Sequence, residues 1–154
     1  MVIAIRYHRF PVRPSSKVDR SAAYMARYIA KNMVAAGVAD EMLVQLAYAI
    51  GVAEPVSVYV NTYGRSHVNV TDGEIAEKIK SLFGLRPKQI ERTLKLRQPM
   101  FLETASYGHM GRKNETVIKK FTSHYNPNKE VEVELFTWEK LDRVDEIRQV
   151  FGLK

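Results

Sequence analysis

The chain has 154 residues, the length of a single globular domain. Its 45% hydrophobic and 27% charged residues exclude a disordered protein, and the absence of cysteine excludes disulfides and cysteine-based zinc sites. A net charge of +7 favours polyanionic partners. The chain shows neither a signal-peptide core nor an apolar run long enough to span a membrane, so a cytoplasmic location is expected.

The first predicted element is a helix over residues 19–36. Apolar residues recur there at three- and four-residue steps, which places them on one face of a helix. They are Ala22, Met25, Ile29, Met33 and Ala36. Asp19 or Ser21 can cap the start of this helix, and Gly37 can end it. The basic residues that remain for its polar face are Arg20, Arg27 and Lys31.

Two strands and a second helix are predicted next. Residues 42–50 and 56–63 are rich in β-prone apolar residues, and the glycine and proline within residues 51–55 indicate a turn between them. Thr71, followed three residues later by Glu74, has the pattern of a capping box. A helix is therefore expected to begin at Thr71 or the next residue, with an apolar stripe formed by Ile75, Ile79, Leu82 and Phe83.

The last third of the chain predicts a short helix, a strand pair and a closing helix. Proline can open a helix over residues 87–94. Residues 117–121 and 131–136 have strand character around a turn at residues 126–128, and residues 138–151 show helical periodicity. The pattern as a whole predicts an α+β fold, with a mixed or antiparallel sheet in a two-layer arrangement and helices on one face.

The residues alone identify no catalytic site. His8, His67, His109 and His124 are too far apart in sequence to match a metal-ligand spacing. The acidic residues Glu130, Glu132 and Glu134 alternate with valines, which indicates the solvent face of a strand. Composition and periodicity therefore predict a basic α+β domain without naming its chemistry.

Several longer strings carry a family resemblance. They are KVDRSAAYMARYIAKN at residues 17–32, VAAGVADEMLVQLAYAIGVAEPVSVYVNTYG at 34–64, FGLRPKQI at 83–90 and ETASYGHMGR at 103–112. In order and spacing these strings resemble the C-terminal portion of bacterial methionine adenosyltransferases, also called S-adenosylmethionine synthetases. The resemblance covers residues 17–154 and predicts that they form the C-terminal domain of such an enzyme.

The resemblance implies both a fold and a reaction. Family subunits contain three similar two-layer α+β domains, and this chain would hold most of the last one. The family makes S-adenosylmethionine from ATP and L-methionine, releases phosphate and pyrophosphate, and uses Mg²⁺ and K⁺. Its members are homo-oligomers, dimers or tetramers, with active sites that form between two subunits.

Three residues of the matching region acquire site roles from the resemblance. Lys17 matches a lysine at the methionine end of the site, with a solvated helix-start lysine as the alternative. Asp19 matches an aspartate of the magnesium and polyphosphate region, with a plain helix cap as the alternative. Ile50 matches an apolar residue of the pocket wall, with a buried core residue as the alternative. The string around Tyr107 and His109 is interpreted as structural.

Residues 1–16 depart from the family pattern. The family has a glycine-rich ATP loop, G-G-G-A-F-S-G-K-D-x-S, where this chain has no glycine. Arg13 stands in place of the ATP lysine and Arg9 in place of an ATP-contacting alanine. A coding run for A-F-S-G-K read one base later can give R-F-P-V-R, the string at residues 9–13, so an out-of-frame origin is predicted. The chain alone is expected to be inactive; a non-catalytic binding or oligomerisation module and a basic nucleic-acid-binding protein are the alternatives.

Overall fold

A computed structural model describes residues 17–154 of the chain, with the side chains of residues 126 and 127 left aside. Within that range there are four α-helices and four strands. In chain order they are α1 (Val18–Ala35), β1 (Leu43–Ala47), β2 (Ser57–Asn61), α2 (Asp72–Leu82), α3 (Pro87–Thr93), β3 (Glu115–Ser123), β4 (Asn126–Leu135) and α4 (Val144–Phe151). Two short 3₁₀ segments, Leu102–Ala105 and Thr137–Glu139, complete the regular structure. Each helix in this range is too short or too polar to cross a bilayer.

Helix α1 is the central element of the core. Its apolar stripe is buried as predicted, and Met25, Ile29 and Met33 are completely inaccessible. The helix ends as expected at Gly37, whose positive φ of +88° suits glycine. The Gly37 N–H donates to the Val34 carbonyl and the Val38 N–H to the Met33 carbonyl, which closes the last turn as a Schellman motif.

The strands form two separate antiparallel hairpins. In the first, β1 pairs with β2 so that Val44 lies opposite Val60. In the second, β3 pairs with β4 so that Val117 lies opposite Val133. Helix α1 packs against β1 and helix α2 against β2. The predicted α+β class and antiparallel pairing are therefore confirmed, with the strands divided between two small sheets.

The predicted capping box at the start of α2 is present in full. The Thr71 hydroxyl accepts a hydrogen bond from the Glu74 N–H at 3.3 Å, and the Glu74 carboxylate accepts one from the Thr71 N–H at 2.7 Å. These two bonds satisfy backbone donors that the first helical turn leaves without an internal partner. The stripe that follows is buried at Ile75 and Ile79, as expected.

Two predictions for the last third of the chain were wrong. The turn of the second hairpin lies at residues 124 and 125 rather than 126–128, because Ser123 already pairs with Asn126 across a register shift. Proline at 127 is compatible with a strand there, since a two-stranded ribbon has only edge strands. The closing helix begins at Val144, and the preceding residues are a 3₁₀ turn followed by an extended link. Leu141, within the predicted range of that helix, is 50% exposed.

Candidate functional site

A groove opens where the first turns of α1 face β1. Its volume is about 390 Å³. The residues that line it are Val18, Asp19, Ala22, Ala23, Ala26, Gln45, Leu46, Ala47 and Tyr48. Because the helix presents alanines to the strand here, the space between the two backbones is not filled by side chains. The groove is therefore a cleft of ligand-binding size at the N-terminal end of the central helix.

Asp19 is part of the lining of this groove, and Lys17 lies two residues before it in the chain. Lys17 has an extended backbone (φ −83°, ψ 119°) and occupies the cap position of α1, and its carbonyl accepts hydrogen bonds from the Arg20 and Ser21 N–H groups. The prediction that Asp19 or Ser21 caps the helix was wrong, since both lie inside the first turn. An acidic residue there interacts favourably with the positive end of the helix dipole. Both Lys17 and Asp19 are exposed.

Ile50 lies on the loop that leaves the groove. Its side chain is fully exposed, with a relative accessibility of 106%, so the alternative of a buried core residue was wrong. The loop turns tightly at Gly51, whose φ is +82°, and the Val52 N–H donates to the Ala49 carbonyl. Ile50 therefore projects from a short turn two residues beyond Tyr48.

Tyr48 forms a rigid part of the groove wall. Its hydroxyl donates a hydrogen bond of 2.6 Å to the Leu85 carbonyl. Burial raises the pKa of the Tyr48 phenol to about 12, with a smaller contribution from the Glu54 carboxylate. The phenol is consequently neutral at physiological pH, and its orientation is fixed from outside the groove.

The remaining predicted site residues, Arg9 and Arg13, lie outside the described residues. Among residues 17–154 there is no group of three or more histidine or acidic side chains placed to hold a metal ion. Asp19 can offer one carboxylate, and Mg²⁺ is commonly bound by one or two carboxylates together with phosphate oxygens of a substrate. The donors present are thus compatible with a shared Mg²⁺ site and not with a self-contained one.

A buried carboxylate organises the opposite side of α1. The Glu139 side chain is fully buried, and it accepts hydrogen bonds from Arg27 at 3.0 and 3.1 Å and from Lys31 at 2.7 Å. The Gly111 N–H donates a further bond of 2.8 Å. Burial by itself raises the pKa of Glu139, but the hydrogen bonds from Arg27, Lys31 and Gly111 outweigh burial and hold the pKa below its ordinary value. Arg27 and Lys31 lie on the polar face of α1, where they act as counter-ions of a buried carboxylate and are largely shielded from solvent.

Trp138 joins three segments of the chain beside this carboxylate. Its ring stacks on Tyr24 with a centroid separation of 3.9 Å, and its indole N–H donates to the His109 carbonyl at 2.7 Å. The Tyr24 hydroxyl and His109 Nδ1 share a hydrogen bond of 2.7 Å. Burial lowers the pKa of His109, and the nearby Arg20 charge adds to this, which favours a neutral imidazole. Arg20 lies 3.6 Å above the Phe101 ring centroid, so it too is held by packing.

These contacts explain the string ETASYGHMGR as structural, in agreement with the sequence interpretation. His109 and Gly111 supply backbone groups to Trp138 and Glu139. Arg112 donates to the Glu103 and Ser106 carbonyls at 3.2 and 2.6 Å and so closes the same segment into a loop. The string therefore has a structural role: it holds Trp138 and Glu139, which in turn contact α1.

The two hairpins and the helices packed on them form an α+β domain, with a groove at the start of its central helix. The chain belongs to the S-adenosylmethionine synthetase C-terminal domain family, whose model matches residues 9–120.

Known relatives extend the match over nearly the whole chain. The S-adenosylmethionine synthases of Bacteroides thetaiotaomicron and Phocaeicola vulgatus are 69% and 67% identical to it over 144 residues. Each alignment covers 94% of this chain and 34% of the relative, so the chain spans about a third of their length. The structure of an unusual S-adenosylmethionine synthetase from Campylobacter jejuni matches with a TM-score of 0.70 at 32% identity, covering 90% of this chain and 31% of that one.

Proposed function

We propose that residues 17–154 supply the C-terminal domain of a methionine adenosyltransferase. In this reaction the methionine sulfur attacks C5′ of the ATP ribose, the C5′–O bond breaks, and triphosphate leaves. The triphosphate is then hydrolysed to pyrophosphate and phosphate. The observation that carries the proposal is the position of Asp19 in the lining of a groove, two residues after Lys17 at the helix cap, in a chain 69% identical to a synthase of this kind.

The start of α1 suits the electrostatics of this reaction. A neutral thioether becomes a sulfonium cation while a highly charged leaving group departs, so the site has to hold both charges. The N-terminal end of a helix carries partial positive charge, and Lys17 adds a full one at the cap position. We assign Lys17 to substrate binding at the methionine end, where it can also attract the amino acid carboxylate.

Asp19 supplies the opposite charge in the same groove. Its carboxylate can contribute one ligand to Mg²⁺ at the polyphosphate. We assign the remaining Mg²⁺ ligands and the ligands of K⁺ to residues outside 17–154. Ile50 is exposed on the adjoining loop, where it can form an apolar wall for the substrate. The proposed site is thus incomplete in this domain and needs other domains and a second subunit of a homo-oligomer, a dimer or tetramer.

Residues 1–16 are proposed as an aberrant replacement of the family ATP loop. Glycines let a loop backbone approach phosphate groups and adopt positive φ, whereas Pro11 and Pro14 fix φ and lack an N–H donor. Arg9 and Arg13 can still offer charge to ATP. An arginine fork nevertheless differs from a lysine ammonium in reach and geometry.

The purified 154-residue chain is expected to form no S-adenosylmethionine from ATP and L-methionine in the presence of Mg²⁺ and K⁺. The physical reason is that catalysis depends on groups that act together, and most of the family's groups lie outside this chain. Mass spectrometry of the reaction mixture measures the product, with the Bacteroides thetaiotaomicron synthase as the positive control. Turnover by the chain alone would contradict the proposal.

A chimera tests the assignment of individual residues. Residues 17–154 are joined to the preceding two-thirds of the Bacteroides thetaiotaomicron synthase, and the chimera is expected to be active. Lys17→Met and Asp19→Asn are each expected to lower its kcat/KM by about 10- to 100-fold, because each removes a charged contact in the transition state. The measurement is steady-state kinetics with ATP and methionine varied in turn.

Two matched variants serve as controls for the chimera. Lys113→Met and Asp145→Asn remove the same charges at other exposed positions, and each should change kcat/KM by less than about twofold. Replacing the ATP loop of the relative with residues 1–16 of this chain, within the chimera, is expected to abolish activity. Unchanged kinetics in the Lys17 and Asp19 variants would refute the roles assigned to them.

A further inference from the structure

A second groove, lined mainly by basic residues, lies along α3. Its volume is about 290 Å³. We call it the α3 groove; the residues that line it are Lys88, Glu91, Arg92, Lys95, Arg97 and Gln98. Four of these six side chains carry positive charge and one carries negative charge. The groove is therefore a local concentration of the positive charge that the whole chain has in excess.

Carboxylates compensate only part of this charge. Arg97 pairs with Glu91 at 2.9 Å, and Lys95 pairs with Glu134 at 2.7 Å. Within the described part of the chain, no carboxylate lies within ion-pair distance of Lys88 or Arg92. These two exposed cations are therefore available to a ligand, whereas Lys95 and Arg97 are engaged in ion pairs.

The spacing of the two available cations favours a single ligand. Lys88 and Arg92 are four residues apart on α3, so their side chains leave the same face of the helix. Like charges at this spacing repel one another and oppose formation of so short a helix. An anion between them removes that repulsion. The arginine fork can bind two phosphate oxygens at once, and the lysine adds a point charge.

We propose that the α3 groove binds a small anion with two or three linked phosphoryl groups, such as pyrophosphate or tripolyphosphate. The two uncompensated cations, with the ion-paired Lys95 and Arg97 beside them, leave the groove with net positive charge that suits one compact polyanion. Gln98 closes the groove, and its Oε1 accepts a hydrogen bond from the Glu134 N–H at 3.1 Å, which fixes the amide. The lining residues include no aromatic ring on which a nucleic acid base could stack, so a compact polyphosphate fits better than a single-stranded nucleic acid.

Isothermal titration calorimetry of the full chain with sodium pyrophosphate and with sodium tripolyphosphate tests this site. We expect one binding site per chain, persisting at about 150 mM salt. The double variant Lys88→Gln/Arg92→Gln should weaken binding by at least about tenfold. Lys113→Gln/Lys129→Gln is the matched control: it removes two charges from the same +7 at exposed positions elsewhere, and should bind within about twofold of the unchanged chain.

Three results would overturn the proposal. One is a failure of both polyphosphates to bind the unchanged chain. Another is equal weakening in the two double variants, which would show attraction by net charge alone. The third is a short single-stranded RNA that binds more tightly than tripolyphosphate and loses its affinity in Lys88→Gln/Arg92→Gln, which would assign the groove to nucleic acid. Circular dichroism of each variant verifies that the fold is retained. Binding alone is measured, so the outcome is independent of synthase activity.

Discussion

Replacing Glu139 with glutamine is expected to lower the free energy of unfolding by about 3–5 kcal/mol. The substitution preserves the shape of the side chain but removes the charge that Arg27 and Lys31 share, at a position with no exposed side-chain surface. Two cations are then left beside a neutral amide in the interior. The loss comes mainly from these uncompensated charges.

Urea unfolding followed by the fluorescence of Trp138, the only tryptophan, measures this effect. Glu132→Gln on the exposed side of β4 is the control, and its effect should be within about 0.5 kcal/mol. A triple variant, Arg27→Met/Lys31→Met/Glu139→Leu, should recover most of the loss, because apolar residues of similar volume need no counter-charge. A decrease below about 1 kcal/mol for Glu139→Gln would show that water reaches the cluster.

The Glu139 carboxylate also makes the free energy of unfolding depend on pH in the acid range. Its pKa in the folded chain is lower than the ordinary value of 4.5. A depressed carboxyl pKa stabilises the folded state above the unfolded-state pKa, and this contribution is lost as the pH falls through the folded-state value. The difference in stability between the unchanged chain and the triple variant should therefore shrink as the pH is lowered below the ordinary value.

Trp138→Ala is expected to lower the free energy of unfolding by about 3–5 kcal/mol. Trp138 is completely buried, packs edge-to-face on Phe136 at 5.8 Å between ring centroids and stacks on Tyr24 at 3.9 Å. Truncation leaves a cavity and removes the partner of the His109 carbonyl. The loss adds a packing contribution to the cost of an unpaired buried acceptor.

Circular dichroism during urea unfolding is the appropriate measurement, since the variant has no tryptophan. Tyr125→Ala removes an aromatic ring that is 95% exposed and should change stability by no more than about 0.5 kcal/mol. Trp138→Phe separates the two causes, because it keeps most of the packing and loses the indole donor. An unchanged free energy of unfolding in Trp138→Ala would contradict this prediction, since it would mean that the surrounding residues fill the cavity without loss of stability.

The sequence predicted the fold best where local signals and burial agree. The stripe through Ile29 and Met33, the stop at Gly37 and the capping box at Thr71 all concern residues within one helical turn of each other. The predicted start of the closing helix was too early because the conformation of residues 137–139 is set by their packing against α1 and not by their neighbours in the chain. Trp138 stacks on Tyr24 of α1, a residue far away in the chain, and local periodicity carries no information about such a contact.

The candidate site was predictable only in part, for a similar reason. The resemblance directed attention to Lys17, Asp19 and Ile50; Asp19 is part of a groove lining, Lys17 caps the same helix and Ile50 is exposed on a loop, while their roles stay predictions. The role of Glu139 was missed, because its partners are distant in sequence. One signal was present: Arg27 and Lys31 sit four residues apart on a helix whose only acidic residue is Asp19, so their counter-charge had to come from another segment.

The pairing of Arg27 with Glu139 also sets the order in which the chain can mature on the ribosome. The two residues are 112 positions apart, so the segment that holds Glu139 is made well after α1. At about 5–20 residues per second, α1 leaves the exit tunnel several seconds before its counter-ion exists. During that interval Arg27 and Lys31 lack the carboxylate that neutralises them in the folded chain, so this face of α1 can reach its final packing only after residue 139 has been added.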